Sequence, residues 1–381
     1  MKITQVRSAT CIVPLSKPVT FANNFVAARD YHLVWVTGDN GLSGFGYGLG
    51  SRKPEGIKLL HDAAHEQLAP LILGQDAWMS EHLWEKMYRH TALLGRRGAV
   101  LRALSAIDIA IWDLKAKSVG LPLYKLLGGH RDVVPAYASG GYYLDGKGVD
   151  GLVAELEDYR ARGFTNYKIK VGVASPREDG ERLGACREAL GPDAKIALDA
   201  NNAWTTLVDA LAYTRQFEPH DPWWLEEPFY PEQTINFEEL AGRTTIPIAA
   251  GEVDATRWPF RDFIDRRAVH FFQHDATVCG GVTEWRRITA MCEGFDLPVA
   301  PHWVTDIHAH LVAASPNGLT VEYFIPEHDI VNFEKLVREP LQVKDGMLAL
   351  RQTPGHGVSI DPEPYKAFVT MDTHPGEPVP A

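Results

Sequence analysis

The sequence predicts an α/β protein, a closed barrel of parallel strands preceded by an α+β unit. Three observations predict it. From Val133 onward, short β-rich runs alternate with helical segments over roughly 200 residues. Before that, residues 1–50 read as strand and hairpin and residues 54–127 as helices. Finally, one ionisable residue recurs at the carboxyl end of seven successive runs, each step about one βα unit long.

The elements follow in order. Ile3–Cys11 mixes β-branched and polar residues, and His32–Val36 is a short apolar run. Gly41–Gly50 (GLSGFGYGLG) is a glycine-rich turn and strand. It is not a dinucleotide fingerprint, because Leu49 stands where the third glycine is needed and no apolar helix follows directly. Ala99–Val119 carries Val100, Leu101, Leu104, Ile107, Ile111 and Leu114 at helical spacing, and Gly120 and Pro122 end it. The barrel runs are Val134–Ser139, Tyr167–Val171, Lys195–Leu198, Trp223–Leu225, Ile246–Ala249, His270–Gln273, Pro298–Ala300 and Leu319–Val321. Gly151–Arg162 and Thr283–Cys292 are two of the helices between them. The shortest connection joins the last two runs, which predicts a reduced helix there. The Pro- and Gly-rich end, from Asp361, is expected either to wrap back over the surface or to be loose.

Composition excludes several function classes. The chain has 381 residues, 45% hydrophobic and 23% charged, an ordinary globular balance. Lys plus Arg is 38 against 49 Asp plus Glu, a net charge of −11, which argues against nucleic acid and anionic membrane as partners. No apolar stretch approaches 18 residues, and the start lacks a signal-type run, so a cytoplasmic protein is expected. Cys11, Cys186, Cys279 and Cys292 form no CxxC pair and no disulfide framework.

The chemistry sits at the strand ends. Lys170, Asp199, Glu226, Glu252, Asp275, His302 and Glu322 follow one another at steps of 29, 27, 26, 23, 27 and 20 residues. In a closed barrel those ends meet at one mouth, where barrel active sites lie. Three converging carboxylates, Asp199, Glu226 and Glu252, repel one another and call for a cation. All-oxygen ligands select a hard ion, here one Mg²⁺ per subunit. Asn201, two residues past Asp199, is expected on the same side of an extended chain, within reach of a ligand water or substrate. Lys168 and Lys170 share a strand face, and the pair plus Mg²⁺ is expected to lower at least one lysine toward neutrality, making it a carbon-acid base. Asp275 and His302 come from neighbouring strands as a carboxylate–imidazole dyad, a second base across the metal. Such a site suits removal of the proton α to a carboxylate, with electrostatic stabilisation of the enediolate. Glu322, if protonated by burial and like-charge neighbours, would donate to it.

Competing patterns are weaker. His61 and His65 (HDAAH) have zinc-helix spacing but lack the glutamate of HExxH and a third ligand, so an exposed helix face is the simpler reading. His308 and His310 (HAH) fall in the expected seventh helix, away from the first strand where a histidine-rich metallohydrolase would place them. Trp223 and Trp224 read as packing, and Glu227 as structural or supporting the metal. A non-catalytic carboxylate-binding barrel remains an alternative class, but such a barrel would be expected to have lost a ligand or base.

The set KIK, DAN, EEP, GE, D and H, together with ALSAIDIAIWDLKAK (Ala103–Lys117) followed by GLPLYKLLGG, resembles the enolase superfamily, specifically the mandelate racemase subgroup. The resemblance covers nearly the whole chain. It implies a modified TIM barrel of (β/α)7β form over 128–345, an N-terminal α+β capping domain over 1–127, and a C-terminal segment, 346–381, returning to the cap. By position it implies metal ligands Asp199, Glu226 and Glu252, bases Lys170 and His302, Lys168 as neighbour to Lys170, Asp275 supporting His302, and Glu322 as electrophile. It further implies substrate contacts from two cap loops, Thr20–Phe25 with Asn23 and Asn24, and Leu94–Arg97 with Arg96 and Arg97. Those polar side chains suit a polyhydroxy acid or diacid. The expectation is a Mg²⁺-dependent acid-sugar dehydratase acting on a small carboxylate as a homo-oligomer, with a racemase or epimerase as the nearest alternative.

Overall fold

The N-terminal runs form a meander of three antiparallel strands, β1 (Ile3–Phe21), β2 (Asn24–Gly38) and β3 (Ser43–Leu49). The computed structural model describes residues 1–21, 24–50 and 56–380. β1 runs ten residues beyond the expected Cys11. Its pairing with β2 slips between Pro14 and Val19, where Pro14 and Pro18 supply no N–H to the ladder and mask the strand pattern.

The helix Ala99–Ser118 lies against this sheet. The glycine-rich run explains how close it comes. A Cβ on Gly44 would sit 2.0 Å from the Ala110 carbonyl oxygen, and one on Gly46 2.0 Å from that of Ala106. These glycines serve helix–strand contact rather than a phosphate. The same helix buries two carboxylates. Asp108 accepts from the Thr283 backbone N–H (2.8 Å) and hydroxyl (2.6 Å) on the barrel side. Asp113 accepts from the N–H groups of Phe45 (2.9 Å) and His356 (2.8 Å), with Lys117 at 3.1 Å. Cap, barrel and C-terminal segment are thereby fastened to one helix.

The barrel strands are β4 (Val133–Ser139), β5 (Asn166–Lys170), β6 (Lys195–Asp199), β7 (Leu225–Glu226), β8 (Ile248–Ala250), β9 (Phe271–Phe272) and β10 (Val321–Tyr323), parallel throughout, with β10 beside β4. The remaining place is filled by Val299, which bridges Phe272 and Gly318 and closes the ring. Pro298 and Pro301 flank it and cannot donate, so this strand shrinks to a single bridge. Tyr137, Ala197, Trp224, Ala249 and Ala300 form one buried cluster contributed by five of the ring's strand positions. The connection before β10 was expected to be reduced, yet Thr305–Ala313 is a full nine-residue helix that buries His308 and His310.

The C-terminal stretch does more than wrap the surface. β11 (Met347–Ala349) pairs antiparallel with β4, and β12 (Val369–Asp372) pairs with β1, so residues past Asp361 complete the cap's sheet. Arg7 clasps Asp372 there through two bonds of 2.6 and 3.0 Å. His65 is exposed as expected, whereas His61 is half-buried with its Nδ1 3.0 Å from the Ser8 hydroxyl. No helix among the described residues is long and apolar enough to cross a membrane.

Candidate active site

Strand register assembles the site. Lys170 is the cross-strand partner of Asp199, and Asp199 of Glu226, so three strand ends lie side by side at one rim. Asp199, Glu226 and Glu252 each place a carboxylate oxygen within 4.8 Å of the others, and all three are buried. Glu252 Oε2 has no hydrogen-bond partner among the described residues. Buried carboxylates converging with an orphaned oxygen fit a hard divalent cation.

Cations and donors frame the acids. Lys168 Nζ lies 2.5 Å from Glu226, 2.7 Å from Glu322 and 3.5 Å from Asp199. Lys170 Nζ lies 2.5 Å from Asp199. Trp224 Nε1 (3.0 Å) and Gln273 Nε2 (2.7 Å) both donate to Glu226 Oε2. Across the rim, His302 Nδ1 lies 3.1 Å from Asp275 Oδ2, and its Nε2 faces Glu252 at 3.7 Å. Asp275 is held in turn by the Thr277 N–H and hydroxyl at 2.7 and 2.8 Å.

The charge states differ from two expectations. Burial alone would lower both lysines, but their carboxylate partners outweigh it, Glu226 and Glu322 for Lys168 and Asp199 for Lys170, and hold both above the ordinary lysine value. Neither is drawn toward neutrality by its protein neighbours. Burial would likewise raise Glu322, but Lys168, His302 and Lys170 hold its carboxyl down to about 2, so it is ionised rather than protonated. Burial and Asp199 push Glu226 up to about 8 against the pull of Lys168. Burial would lower His302, yet Glu252 and Asp275 raise it to about 9 and keep the imidazole protonated.

A cavity of about 510 Å³ opens above these groups. Lys170, Asn201, Glu252, His302 and Glu322 line it from the barrel, and Arg29, Asp30 and Arg102 from the cap.

Two family descriptions match. Residues 3–128 match the mandelate racemase/muconate lactonizing enzyme N-terminal domain, and residues 151–364 the enolase C-terminal domain-like family. The chain belongs to the enolase superfamily, in the mandelate racemase subgroup. It is 37% identical to the arabinonate dehydratase of Saccharolobus solfataricus over 77% of this chain and 79% of that protein. It is 31% identical to the D-galactarolactone cycloisomerase of Agrobacterium fabrum over 98% of this chain and 100% of that one. The crystal structure of L-talarate dehydratase from Polaromonas sp. JS666, complexed with Mg and L-glucarate, superposes with a TM-score of 0.89 at 31% identity, covering 98% of both chains.

Within this superfamily member, the cap-side residues named from sequence are placed differently from expectation. Arg96 is exposed and does not line the cavity. Arg97 points to Glu232 (3.1 Å) and Asp254 (3.6 Å) and does not line it either. Their loop precedes the helix, while the first helical turn faces the cavity and presents Arg102, which donates to the Gly50 carbonyl. Asn23 lies outside the described residues, and Asn24 is the first residue of β2. Asn201 does line the cavity, but by another route than an extended chain. Its φ of 45° turns the backbone, and its N–H donates to Asp199 Oδ1 at 2.9 Å. Glu227 is indeed tied to the scaffold, accepting from Gly251 N–H (2.8 Å) and Asn202 Nδ2 (2.6 Å), so it knits the loops after β6, β7 and β8. Sequence reasoning missed Gln273, Trp224 as a donor, Arg29 and Arg102. Gln273 had a signal, being two residues before Asp275 on the same strand face. The cap residues had none, because tertiary packing alone selects them.

Proposed function

We propose that this protein is a Mg²⁺-dependent dehydratase of an acid sugar, an aldonate or sugar diacid. The observation that carries the reading is a triad of buried carboxylates flanked by two proton carriers, Lys170 against Asp199 and His302 against Glu252. Asp199, Glu226 and Glu252 would hold the metal. Bound there, Mg²⁺ would take over the charge that Lys168 and Lys170 balance and, as a Lewis acid, acidify the proton α to the substrate carboxylate.

The chain's own groups do the rest. Trp224, Gln273 and Lys168 fix Glu226 in place. Lys168, held charged, offsets negative charge at the substrate carboxylate. Lys170 and the His302–Asp275 dyad are the two groups that move protons. In dehydration His302, protonated through Asp275 and Glu252, gives its proton to the departing β-hydroxyl, and the resulting enol becomes a 2-keto-3-deoxy acid. The α-proton needs a neutral acceptor. With the metal neutralising Asp199, Lys170 would lose the partner that holds it charged, and as the free amine it takes that proton while His302 gives its own to the hydroxyl. A substrate of the opposite C2 configuration would require a neutral His302 as the base. Glu322, ionised beside Lys168, sets the charge of the rim rather than donating a proton. Arg29 and Arg102 reach the distal end of the substrate from the cap. A symmetric homo-oligomer belongs to the same reading and is checked by light scattering.

The similarity to a cycloisomerase over nearly the whole chain favours one second reading. The proton chemistry is unchanged, and the leaving oxygen belongs to a ring instead of a hydroxyl. The test is incubation with Mg²⁺ and panels of open aldonates, sugar diacids and their lactones, with 2-keto acid measured as the semicarbazone. Carbonyl from open acids supports dehydration, and carbonyl from lactones alone supports the second reading. α-Deuterium exchange in D₂O without any carbonyl product identifies a racemase and overturns both. Lys170→Ala and His302→Asn are expected to abolish turnover with the fold intact, and full activity in either contradicts its role.

A further inference from the structure

His308 is the first histidine of the HAH pair and belongs to neither the metal triad nor the proton carriers. It lies fully buried in the helix Thr305–Ala313. Its two ring nitrogens have different partners. Nδ1 donates to the Trp303 carbonyl at 3.0 Å, and Nε2 accepts from the Ala276 N–H at 2.9 Å. Ala276 directly follows Asp275, and Trp303 directly follows His302. One side chain therefore ties together the residues next to each member of the dyad. The ring also lies 3.6 Å from Asp275 Oδ1.

A second observation stands independently. The backbone after His302 is strained, with Trp303 at φ 52° and the β-branched Val304 at φ 28°. Non-glycine residues persist in this region only where their surroundings over-determine them. Here the Trp303 N–H donates to Glu322 Oε2 at 2.8 Å, while the Trp303 carbonyl accepts from His308. The strained turn is thus gripped at both ends of one residue. Burial lowers the His308 imidazole below its ordinary value, so the ring is neutral, as one donor and one acceptor require.

We propose that His308 is a positioning residue that clamps the turn after His302 to the strand end bearing Asp275, and so holds the His302–Asp275 hydrogen bond in register. The role rests on the dehydratase reading only where turnover is the readout. The clamp itself is a claim about geometry.

The test uses full-length protein supplemented with Mg²⁺. His308→Leu removes both bonds at similar volume. His308→Gln keeps one donor and one acceptor on adjacent atoms. His308→Leu is expected to lower kcat about 10- to 100-fold, the scale of lost supporting contacts, with KM within about twofold. Its Mg²⁺ affinity, measured by calorimetry, should match wild type, and His308→Gln should recover most of the rate. The readout independent of activity is the downfield imidazole N–H proton of His302, identified by its loss in His302→Asn. That resonance should vanish or move upfield in His308→Leu and persist in His308→Gln. Should His308→Leu fail to fold, His308→Asn keeps a donor near Nδ1 and loses the acceptor, and a partial loss of rate with a shifted resonance is expected. A wild-type resonance and kcat in a folded His308→Leu, or in His308→Asn, overturns the clamp. If the wild-type protein dehydrates no acid sugar, the functional reading fails, and the resonance comparison still decides the role of His308.

Discussion

Two groups of buried carboxylates can be set side by side. On the helix Ala99–Ser118, Asp108 and Asp113 each accept hydrogen bonds from backbone N–H groups, and each also meets a hydroxyl or a cation. At the barrel rim, Asp199, Glu226 and Glu252 crowd one another, and Glu252 Oε2, 3.7 Å from His302 Nε2, accepts no hydrogen bond among the described residues. Both groups have lost water. Asp199 and Glu226 are met by Lys170, Lys168, Trp224 and Gln273, as the helix acids are by their own donors. But the rim acids converge on one point and Glu252 Oε2 keeps no hydrogen bond among the described residues, so the rim retains a demand for a ligand. Burial of charge does not by itself mark a functional site. Convergence of several such charges on one point does.

Substitutions can break this contrast. Glu252→Gln or Glu226→Gln should cost about 10³-fold or more in turnover, since each removes a formal charge from the proposed cation site, while thermal stability stays level or rises. Retained turnover in these variants would erase the distinction. Asp113→Ala should act in the opposite sense, costing about 3 kcal/mol of stability by orphaning the buried N–H groups of Phe45 and His356 and removing the carboxylate beside Lys117, with kcat per folded molecule unchanged. Chemical denaturation alongside active-site titration reads both quantities.

Metal and acid sharpen it. Mg²⁺ at 100 times its Kd should stabilise the wild type by about 2.7 kcal/mol and leave Glu252→Gln unmoved, and chelation should stop turnover reversibly. A thermal shift equal in both proteins would place the cation elsewhere. Burial would raise Asp113, but His356, Lys117 and the backbone donors outweigh it and hold its carboxyl below the usual value. A depressed folded value means this stabilisation is complete above the unfolded value, about pH 4, and is lost as pH falls through the folded one. Acid denaturation should therefore be shallower in Asp113→Ala than in wild type. The smallest effect on turnover belongs to Arg97→Ala, with no change in KM, since its pairs with exposed Glu232 and buried Asp254 lie off the cavity, and with about 1 kcal/mol of stability lost because the half-exposed guanidinium sits 3.6 Å from Asp254. Arg102→Ala, on the cavity wall, should instead raise KM.

The barrel and its rim were legible in the sequence because both are periodic. A βα unit repeats at a near-constant step, and each strand end delivers one side chain to the same mouth. Register then aligned Lys170, Asp199 and Glu226 as that spacing requires. What escaped was aperiodic. The true extent of β1 was hidden by two prolines, and the strand at Val299 is one bridge long. The charge states of Lys168, Lys170 and Glu322 depend on which oppositely charged atoms lie within a few ångströms, and a strand pattern does not encode that. Arg102 rather than Arg96 or Arg97 faces the cavity because a helix begins between them, and a residue or two of uncertainty in such a boundary rotates the choice of side chain.

The close approach of Gly44 and Gly46 to Ala106 and Ala110 has a practical side. At these two positions strand and helix touch backbone to backbone, leaving no side chain there that could be resized to shift one against the other. Any remodelling of what this protein accepts must therefore proceed through the cap's connecting segments and wall residues, on a slab that behaves as a fixed jig. A library confined to those segments should retain solubility, and one that introduces even alanine at the two glycines should lose it.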